Sequence, residues 1–213
     1  MRQLVCAALL ALVPASVTLG ESAPQHARPA ATSSAEASAW AHDHLQGWPP
    51  ETIALAVTLI AKYGRPADAT AHLITWYDNG PWKRTTLLRE GKPHNFPLPH
   101  QDVLEQTIDY RVPAKKLADL AAYDGSIVVD RTRGELTVHC NSEEMNTITF
   151  NIADDIVKGE RTVEQARAYH AQVIEGMLIH DPETYPQKLR FKTQKSNTGD
   201  TDEEAELLRH LSR

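Results

Sequence analysis

The sequence is poor in cysteine, in basic residues and in long apolar runs. Only two of its 213 residues are cysteine, Cys6 and Cys140, which is too few for a disulfide framework. After residue 20, no apolar run approaches the roughly 20 residues that a membrane-spanning helix needs. The 22 basic residues are outnumbered by 28 acidic ones, for a formal net charge of −6. This charge argues against nucleic acid as a partner, because nucleic-acid-binding domains usually present a strongly basic face.

The signatures of several familiar enzyme classes are also missing. We find no phosphate-binding P-loop, no Gly-x-Gly-x-x-Gly, no His-Glu-x-x-His and no Gly-x-Ser-x-Gly. The composition is that of an ordinary globular protein, with 41% hydrophobic and 23% charged residues. The sequence therefore predicts a folded domain but does not select an activity.

Residues 1–20 have the pattern of a secretory signal peptide. A positive start at Arg2 is followed by an apolar run at residues 4–13 and by small residues up to Gly20. We therefore expect an exported protein, periplasmic or secreted; a buried first helix is the alternative. Cleavage after this segment would remove Cys6 and leave Cys140 alone, so no intrachain disulfide is expected.

Composition divides the rest of the chain into three parts. Residues 21–38 are rich in Ala, Ser and Pro and predict a flexible linker. Residues 39–191 are long enough for a single domain with its own core. Residues 192–213 are polar and predict a disordered tail.

Turn signals and periodicity predict an α+β domain. The order of elements is α-β-β-β-α-β-β-α-α, and several strands arrive as hairpins. Asn79-Gly80 predicts one hairpin, with Tyr77 opposite Trp82. Residues 104–112 alternate between apolar and polar as a half-buried strand does. We expect a two-layer fold in which a mostly antiparallel sheet of about five strands carries helices on one face.

The proline-rich segment 93–102 contains the strongest candidate site. His94 and His100 are candidate metal ligands on a stiffened connection between two strands. Asp102 is a candidate catalytic residue, either as the carboxylate that orients a histidine or as a base. The alternative is a crossover whose histidines face water or bond to the backbone.

His42 and His44 form a second candidate pair of metal ligands. In an extended chain the two side chains project to the same side, as a His-x-His pair requires. On a helix they diverge by about 200 degrees and the pair fails. If this segment met residues 93–102, His42, His44, His94 and His100 would form one site for a divalent transition metal.

Cys140 is a candidate nucleophile with an inert alternative. Its neighbour His139 points to the opposite face of a strand and cannot activate it. Activation needs a different histidine, and a buried, unreactive thiol is the other interpretation. The four tryptophans, by contrast, predict core and cross-strand packing.

Two functions follow from these observations. The first is a non-catalytic exported module that binds an unidentified ligand or a protein of the cell envelope. The second is a metal-dependent enzyme, hydrolase-like, that uses His94 and His100 as ligands of a divalent transition metal. No nucleic-acid partner is expected for either.

Overall fold

The described part of the chain forms one sheet and five α-helices. The computed structural model describes residues 32–179 and 188–206; the predicted signal peptide and most of the predicted linker lie outside these residues. A six-stranded antiparallel sheet with helices confirms the predicted α+β class. In chain order the elements are α1 (Ser34–His44), α2 (Pro50–Tyr63), β1 (Asp68–Ala69), β2 (Leu73–Asn79), β3 (Trp82–His94), β4 (His100–Asp109), a 3-10 turn (Ala114–Lys116), α3 (Leu117–Tyr123), β5 (Ile127–Asp130), β6 (Glu135–Cys140), α4 (Glu143–Lys158) and α5 (Val163–Leu178).

The sheet has the strand order β1-β2-β3-β4-β6-β5. Its sixth strand, beyond the five expected, is the two-residue β1. The long hairpin of β3 and β4 forms the centre, and all neighbouring strands are antiparallel. The β2–β3, β3–β4 and β5–β6 pairs follow from short connections, since strands joined by tight turns pair in opposite directions.

One face of β4 carries the core. Leu104, Gln106 and Ile108 are fully buried, as the alternation of residues 104–112 predicts. The Nδ2 amide of Asn146 on α4 donates to the Leu104 carbonyl and to Gln106 Oε1, both at 3.1 Å. Tyr63, the last residue of α2, donates its hydroxyl to Glu143 at the start of α4. Helices α2 and α4 therefore cover the same face of the sheet.

The first hairpin has a different register from the predicted one. Asn79 pairs with Trp82, and Tyr77 pairs with Arg84. The two-residue turn is Gly80-Pro81, and Gly80 supplies the positive φ of 69° that the turn needs. The predicted pairing of Tyr77 with Trp82 is therefore wrong. All four tryptophans are buried, which confirms their packing role.

Part of the predicted linker is helical. Ser33 and Glu36 form a reciprocal capping box that begins α1 at Ser34. Ala37 and Ala41 are buried on this helix, so residues 34–38 pack on the domain.

The start of the predicted tail, together with the residues just before it, also lies against the domain. Arg190 donates to both oxygens of the Asp155 carboxylate at 2.8 Å. The backbone N–H of Gln194 donates to the Asp109 carbonyl at the end of β4, at 3.2 Å. Thr198 is buried, so residues 190–198 form a segment packed along the end of the sheet.

None of the helices among residues 32–179 and 188–206 has the length and apolar character that crossing a membrane demands.

Candidate metal centre

The β3–β4 hairpin brings three of the predicted site residues together. His94 is the last residue of β3, His100 is the first residue of β4, and the two are directly paired. Paired residues of an antiparallel ladder share a face, and so do residues two apart on one strand. Asp102 therefore lies on the same face as both histidines. This is the face of Leu104, which the helices cover.

The side chains of this cluster are close and largely buried. One potential ligand atom from each of His94, His100 and Asp102 lies within 4.8 Å of the other two. His100 Nε2 is 2.9 Å from Asp102 Oδ1, and His94 Nδ1 is 3.5 Å from Asp102 Oδ2. The side chains of the three are 19%, 11% and 7% exposed, in chain order. We call these three residues the His-Asp cluster.

The orientation of the His100 ring defines which nitrogen faces the cluster. Nδ1 lies 2.7 Å from the Leu98 carbonyl oxygen. A carbonyl only accepts, so Nδ1 carries the proton and the lone pair of neutral His100 is on Nε2. Nε2 and the Asp102 carboxylate are then two acceptors 2.9 Å apart. A proton on either group, or a metal ion between them, satisfies this contact.

Asp124 lies next to Nε2 of His94, the ring nitrogen that does not face Asp102. Its Oδ1 lies 3.7 Å from His94 Nε2 and accepts the Ser126 amide at 2.8 Å. Burial raises the pKa of this carboxyl, although the Ser126 amide opposes the shift. A carboxylate behind a histidine ring is a common outer partner of a metal ligand, because it fixes the ring orientation.

Ser126 connects His94 and Asp102. Its hydroxyl donates to Asp102 Oδ2, and its oxygen lies 3.1 Å from His94 Nδ1. In a Ser-His-Asp triad the serine gives its proton to the histidine. Here the proton goes to the carboxylate instead, so Ser126 orients the cluster and is not arranged as a nucleophile.

Cys140 lies beside the cluster on the neighbouring strand. It pairs with Leu104, which places it on the same face of the sheet as Asp102. Its Sγ is 3.3 Å from His100 Nε2. Burial raises the pKa of the thiol to about 12, so the group is protonated and a poor nucleophile at neutral pH. His139 faces away and lies near Glu105 instead, at 3.8 Å.

His42 and His44 do not belong to the site, and the expectation that they pair as ligands is wrong. Both lie on helix α1, where residues two apart diverge. His44 Nδ1 is 2.8 Å from the Trp40 carbonyl, and its ring stacks on Trp40 at 4.3 Å. The extended conformation that the pair needs is lost because the capping box extends α1 through these residues.

Sequence reasoning missed His170 on α5. It is 2% exposed, and its Nδ1 is 3.0 Å from the Tyr123 hydroxyl. Phe96, in the turn between His94 and His100, packs edge-on against its ring at 5.3 Å. Burial, and then the nearby charge of His100, lowers the pKa of His170 to about 4. No motif marks this residue. Asp124, by contrast, belongs to a recognisable Asp124-Gly125 turn, and Ser126 follows that turn.

A groove opens beside His100. It has a volume of about 690 Å³ and runs between the start of α2 and the far end of the β3–β4 hairpin. Residues on its walls include Thr52, Leu55, Arg89, His100, Val103 and Asn141.

Comparisons of this chain with protein-family models, with curated proteins and with solved structures found no match.

Proposed function

We propose that this protein is a non-catalytic binding module whose ligand is one divalent transition-metal ion held by the His-Asp cluster. The observation that carries the proposal is the convergence of His94, His100 and Asp102 within 4.8 Å on the covered face of one hairpin. Rigid strands, rather than loops, position all three ligands, which favours a preorganised site.

The donor set indicates the class of metal. Imidazole nitrogens suit Zn²⁺, Cu²⁺, Ni²⁺ and Fe²⁺, whereas Ca²⁺ and Mg²⁺ prefer oxygen ligands. Two imidazoles and one carboxylate therefore favour a transition metal over Ca²⁺ or Mg²⁺. The outer partners agree with this, because His100 is fixed by the Leu98 carbonyl and His94 faces Asp124.

The spacing of the donor atoms is close to that around a metal ion. Two ligands bound at about 2.0 Å in tetrahedral geometry lie about 3.3 Å apart. The distances of 2.9 Å from His100 to Asp102 and 3.5 Å from His94 to Asp102 bracket that value. A metal ion would also remove the repulsion between the two acceptors, His100 Nε2 and Asp102 Oδ1.

Metal titration of the purified protein tests the proposal. The protein is stripped with a chelator, dialysed and titrated with Zn²⁺ in a calorimeter. We expect one equivalent to bind, and we expect the variant His94→Ala/His100→Ala to lose this binding. Absence of Zn²⁺, Cu²⁺, Ni²⁺ and Fe²⁺ binding by the unaltered protein would rule the proposal out.

The chain offers a matched control for this experiment. The variant His42→Ala/His44→Ala also removes two histidines, but these lie on α1 and do not join the cluster. It should retain full binding. Equal loss in both variants would mean that the metal binds histidines non-specifically. Circular dichroism spectra verify that each variant keeps its fold.

A metal-dependent hydrolase is the second candidate, and the groove beside His100 favours it. A catalytic metal keeps a coordination position open for water or substrate. Azide added to the Co²⁺-loaded protein tests for such a position, because azide binding changes the visible spectrum of the ion. An unchanged spectrum supports the non-catalytic module, and a saturable change supports the hydrolase.

We also propose that the protein is exported, which rests on the pattern of residues 1–20. Expression of the full chain in a bacterium, followed by fractionation and N-terminal sequencing, tests this. A mature N-terminus near residue 21 in the periplasm or medium is expected. An intact N-terminus in the cytoplasm contradicts it.

A further inference from the structure

Cys140 lies beside one ligand of the His-Asp cluster, although its Sγ is not among the atoms that all lie within 4.8 Å of one another. Its Sγ is 3.3 Å from His100 Nε2, the same nitrogen that lies 2.9 Å from Asp102 Oδ1. Nitrogen and sulfur bound tetrahedrally at about 2.0 and 2.3 Å are about 3.5 Å apart. The observed separation is therefore close to what a metal shared by His100 and Cys140 requires.

The other nearby acid does not compete for this position. Asp124 faces His94 through Nε2, whereas the nitrogen of His94 nearest Asp102 is Nδ1. Asp124 is thus on the far side of the His94 ring. Cys140, by contrast, shares with Asp102 the same nitrogen of His100.

We infer that the Cys140 side chain moves onto the metal of the His-Asp cluster when the metal binds, and holds it as a thiolate. This completes a four-ligand His₂-Asp-Cys site selective for Zn²⁺-like ions. This inference rests on the proposed function and specifies its metal class. When the metal–sulfur bond forms, the S–H bond breaks and its proton passes to solvent; no electron is transferred. Four protein ligands close a tetrahedral shell, which favours a metal-holding module over a hydrolase.

A thiolate ligand also explains why this thiol lies in a polar cluster. A buried cysteine that serves only as a small hydrophobe packs among apolar side chains. Cys140 instead contacts an imidazole nitrogen and the side-chain oxygen of Asn141, the latter at 3.8 Å. Burial opposes formation of a free thiolate there, and a bound cation supplies the charge that compensates for it.

Cobalt spectroscopy tests the inference with the full chain. The metal-free protein is titrated with Co²⁺, and the near-ultraviolet thiolate-to-cobalt charge-transfer band is recorded. We expect the band with the unaltered protein and its loss in Cys140→Ser. The variant should also bind Co²⁺ and Zn²⁺ more weakly by at least about tenfold, since even outer partners of a metal contribute that much. His139→Ala, one residue away on the opposite face, should keep both the band and the affinity.

The outcomes separate this inference from the proposed function. If the unaltered protein binds no Co²⁺ or Zn²⁺, the proposed function fails and the inference fails with it. If it binds metal without the band, and Cys140→Ser binds equally well, only the inference fails.

A second measurement needs no variant and therefore does not depend on Cys140→Ser folding. The full chain is treated with an alkylating reagent with and without Zn²⁺, and mass spectrometry follows the label on the peptide that contains Cys140. Zn²⁺ should slow this labelling at least about tenfold, and a chelator should restore the rate. Equal rates with and without bound Zn²⁺ would overturn the inference.

Discussion

The carboxylate of Asp124 lies 3.7 Å from Nε2 of His94 and is 5% exposed. Asp124 follows α3 directly, and Ser126 directly precedes β5. The segment between α3 and β5 therefore reaches the end of the β3–β4 hairpin where His94 and His100 lie. The candidate metal centre is therefore assembled from the β3–β4 hairpin and from the segment between α3 and β5.

Replacement of Asp124 by asparagine should weaken metal binding without abolishing it. The amide cannot supply the negative charge that faces the His94 ring, and outer carboxylates of this kind contribute about 10- to 100-fold to metal affinity. We expect a Zn²⁺ dissociation constant higher by that factor in Asp124→Asn, measured calorimetrically with a competing chelator.

Asp119→Asn provides the control, because Asp119 is on the preceding helix α3 but pairs with Lys116 at the surface. It should bind Zn²⁺ like the unaltered protein. An unchanged affinity in Asp124→Asn would show that Asp124 does not act on the metal through His94.

Replacement of Gly91 by alanine should disturb the hairpin that carries the site. A Cβ at this position would meet Val103 Cγ1 at 2.7 Å and Gln101 Cβ at 2.8 Å, so the irregular part of the β3–β4 ladder requires glycine there. Overpacking of this kind costs about 1–3 kcal/mol. Urea denaturation should show this loss, and Zn²⁺ affinity should fall because Gln101 and Val103 flank Asp102.

Gly125→Ala is the matched substitution for Gly91→Ala. A Cβ at Gly125 has open space around it, and the residue lies in the segment that carries Asp124 and Ser126. The free energy of unfolding of Gly125→Ala should differ from that of the unaltered protein by less than about 0.5 kcal/mol. A similar loss in both variants would mean that glycine flexibility, and not the close approach to β4, determines the result.

Local sequence signals predicted the strands and singled out His94, His100 and Asp102. Residues 93–102 were expected to connect two strands, but they form the ends of β3 and β4 and the turn between them. His94, His100 and Asp102 lie within one short segment, so the strand alternation alone places them together once β3 and β4 pair. The tryptophan packing and the buried face of residues 104–112 follow equally from residue type and periodicity. Residue type and periodicity describe only a few neighbouring residues at a time, so they predict local structure and not contacts between distant segments.

The contacts that depend on tertiary structure were not predictable in this way. Cys140 and Asp124 reach the cluster through strand pairing and helix placement, which no motif encodes. The failure of His42 and His44 has a local cause, because the Ser33–Glu36 capping box favours a helix over the extended chain that the pair requires. The docked segment 190–198 depends on partners such as Asp155 and Asp109, distant in sequence.

Replacement of Gly134 by alanine should detach the C-terminal segment. Gly134 has a φ of 66°, and a Cβ there would overlap the backbone of Thr198. The substitution therefore strains the β5–β6 turn and removes the space that residue 198 occupies. We expect faster proteolysis within residues 192–206, which mass spectrometry of the fragments measures. Zn²⁺ binding at the distant end of the β3–β4 hairpin should stay unchanged.

Gly159→Ala is the control for backbone strain alone. Gly159 also has a positive φ, of 81°, but a Cβ added there would meet nothing within 4 Å. It should lose stability without exposing residues 192–206 to protease. Equal proteolysis in the two variants would indicate that global destabilisation, not loss of the docking space, causes the cleavage.

His170 should make the metal-free protein less stable in acid. Its pKa is about 4 in the fold against an ordinary 6.5, because burial disfavours the charged ring. Between these values the unfolded chain binds a proton that the folded chain does not, so stability falls as the pH drops from 6.5 towards 4. The difference between the two pKa values lowers the free energy of unfolding by about 3 kcal/mol when the pH falls from 7 to 4.

The contribution of His170 is isolated by comparing pH profiles of urea unfolding in the presence of a chelator. His170→Gln keeps an acceptor for the Tyr123 hydroxyl but does not titrate, so its stability should fall less steeply between pH 6.5 and 4 than that of the unaltered protein. His72→Gln, at an exposed position, should follow the unaltered profile. If His170→Gln retains the full acid sensitivity, the loss must come from other groups, and the buried imidazole is not the residue that acid protonates on unfolding.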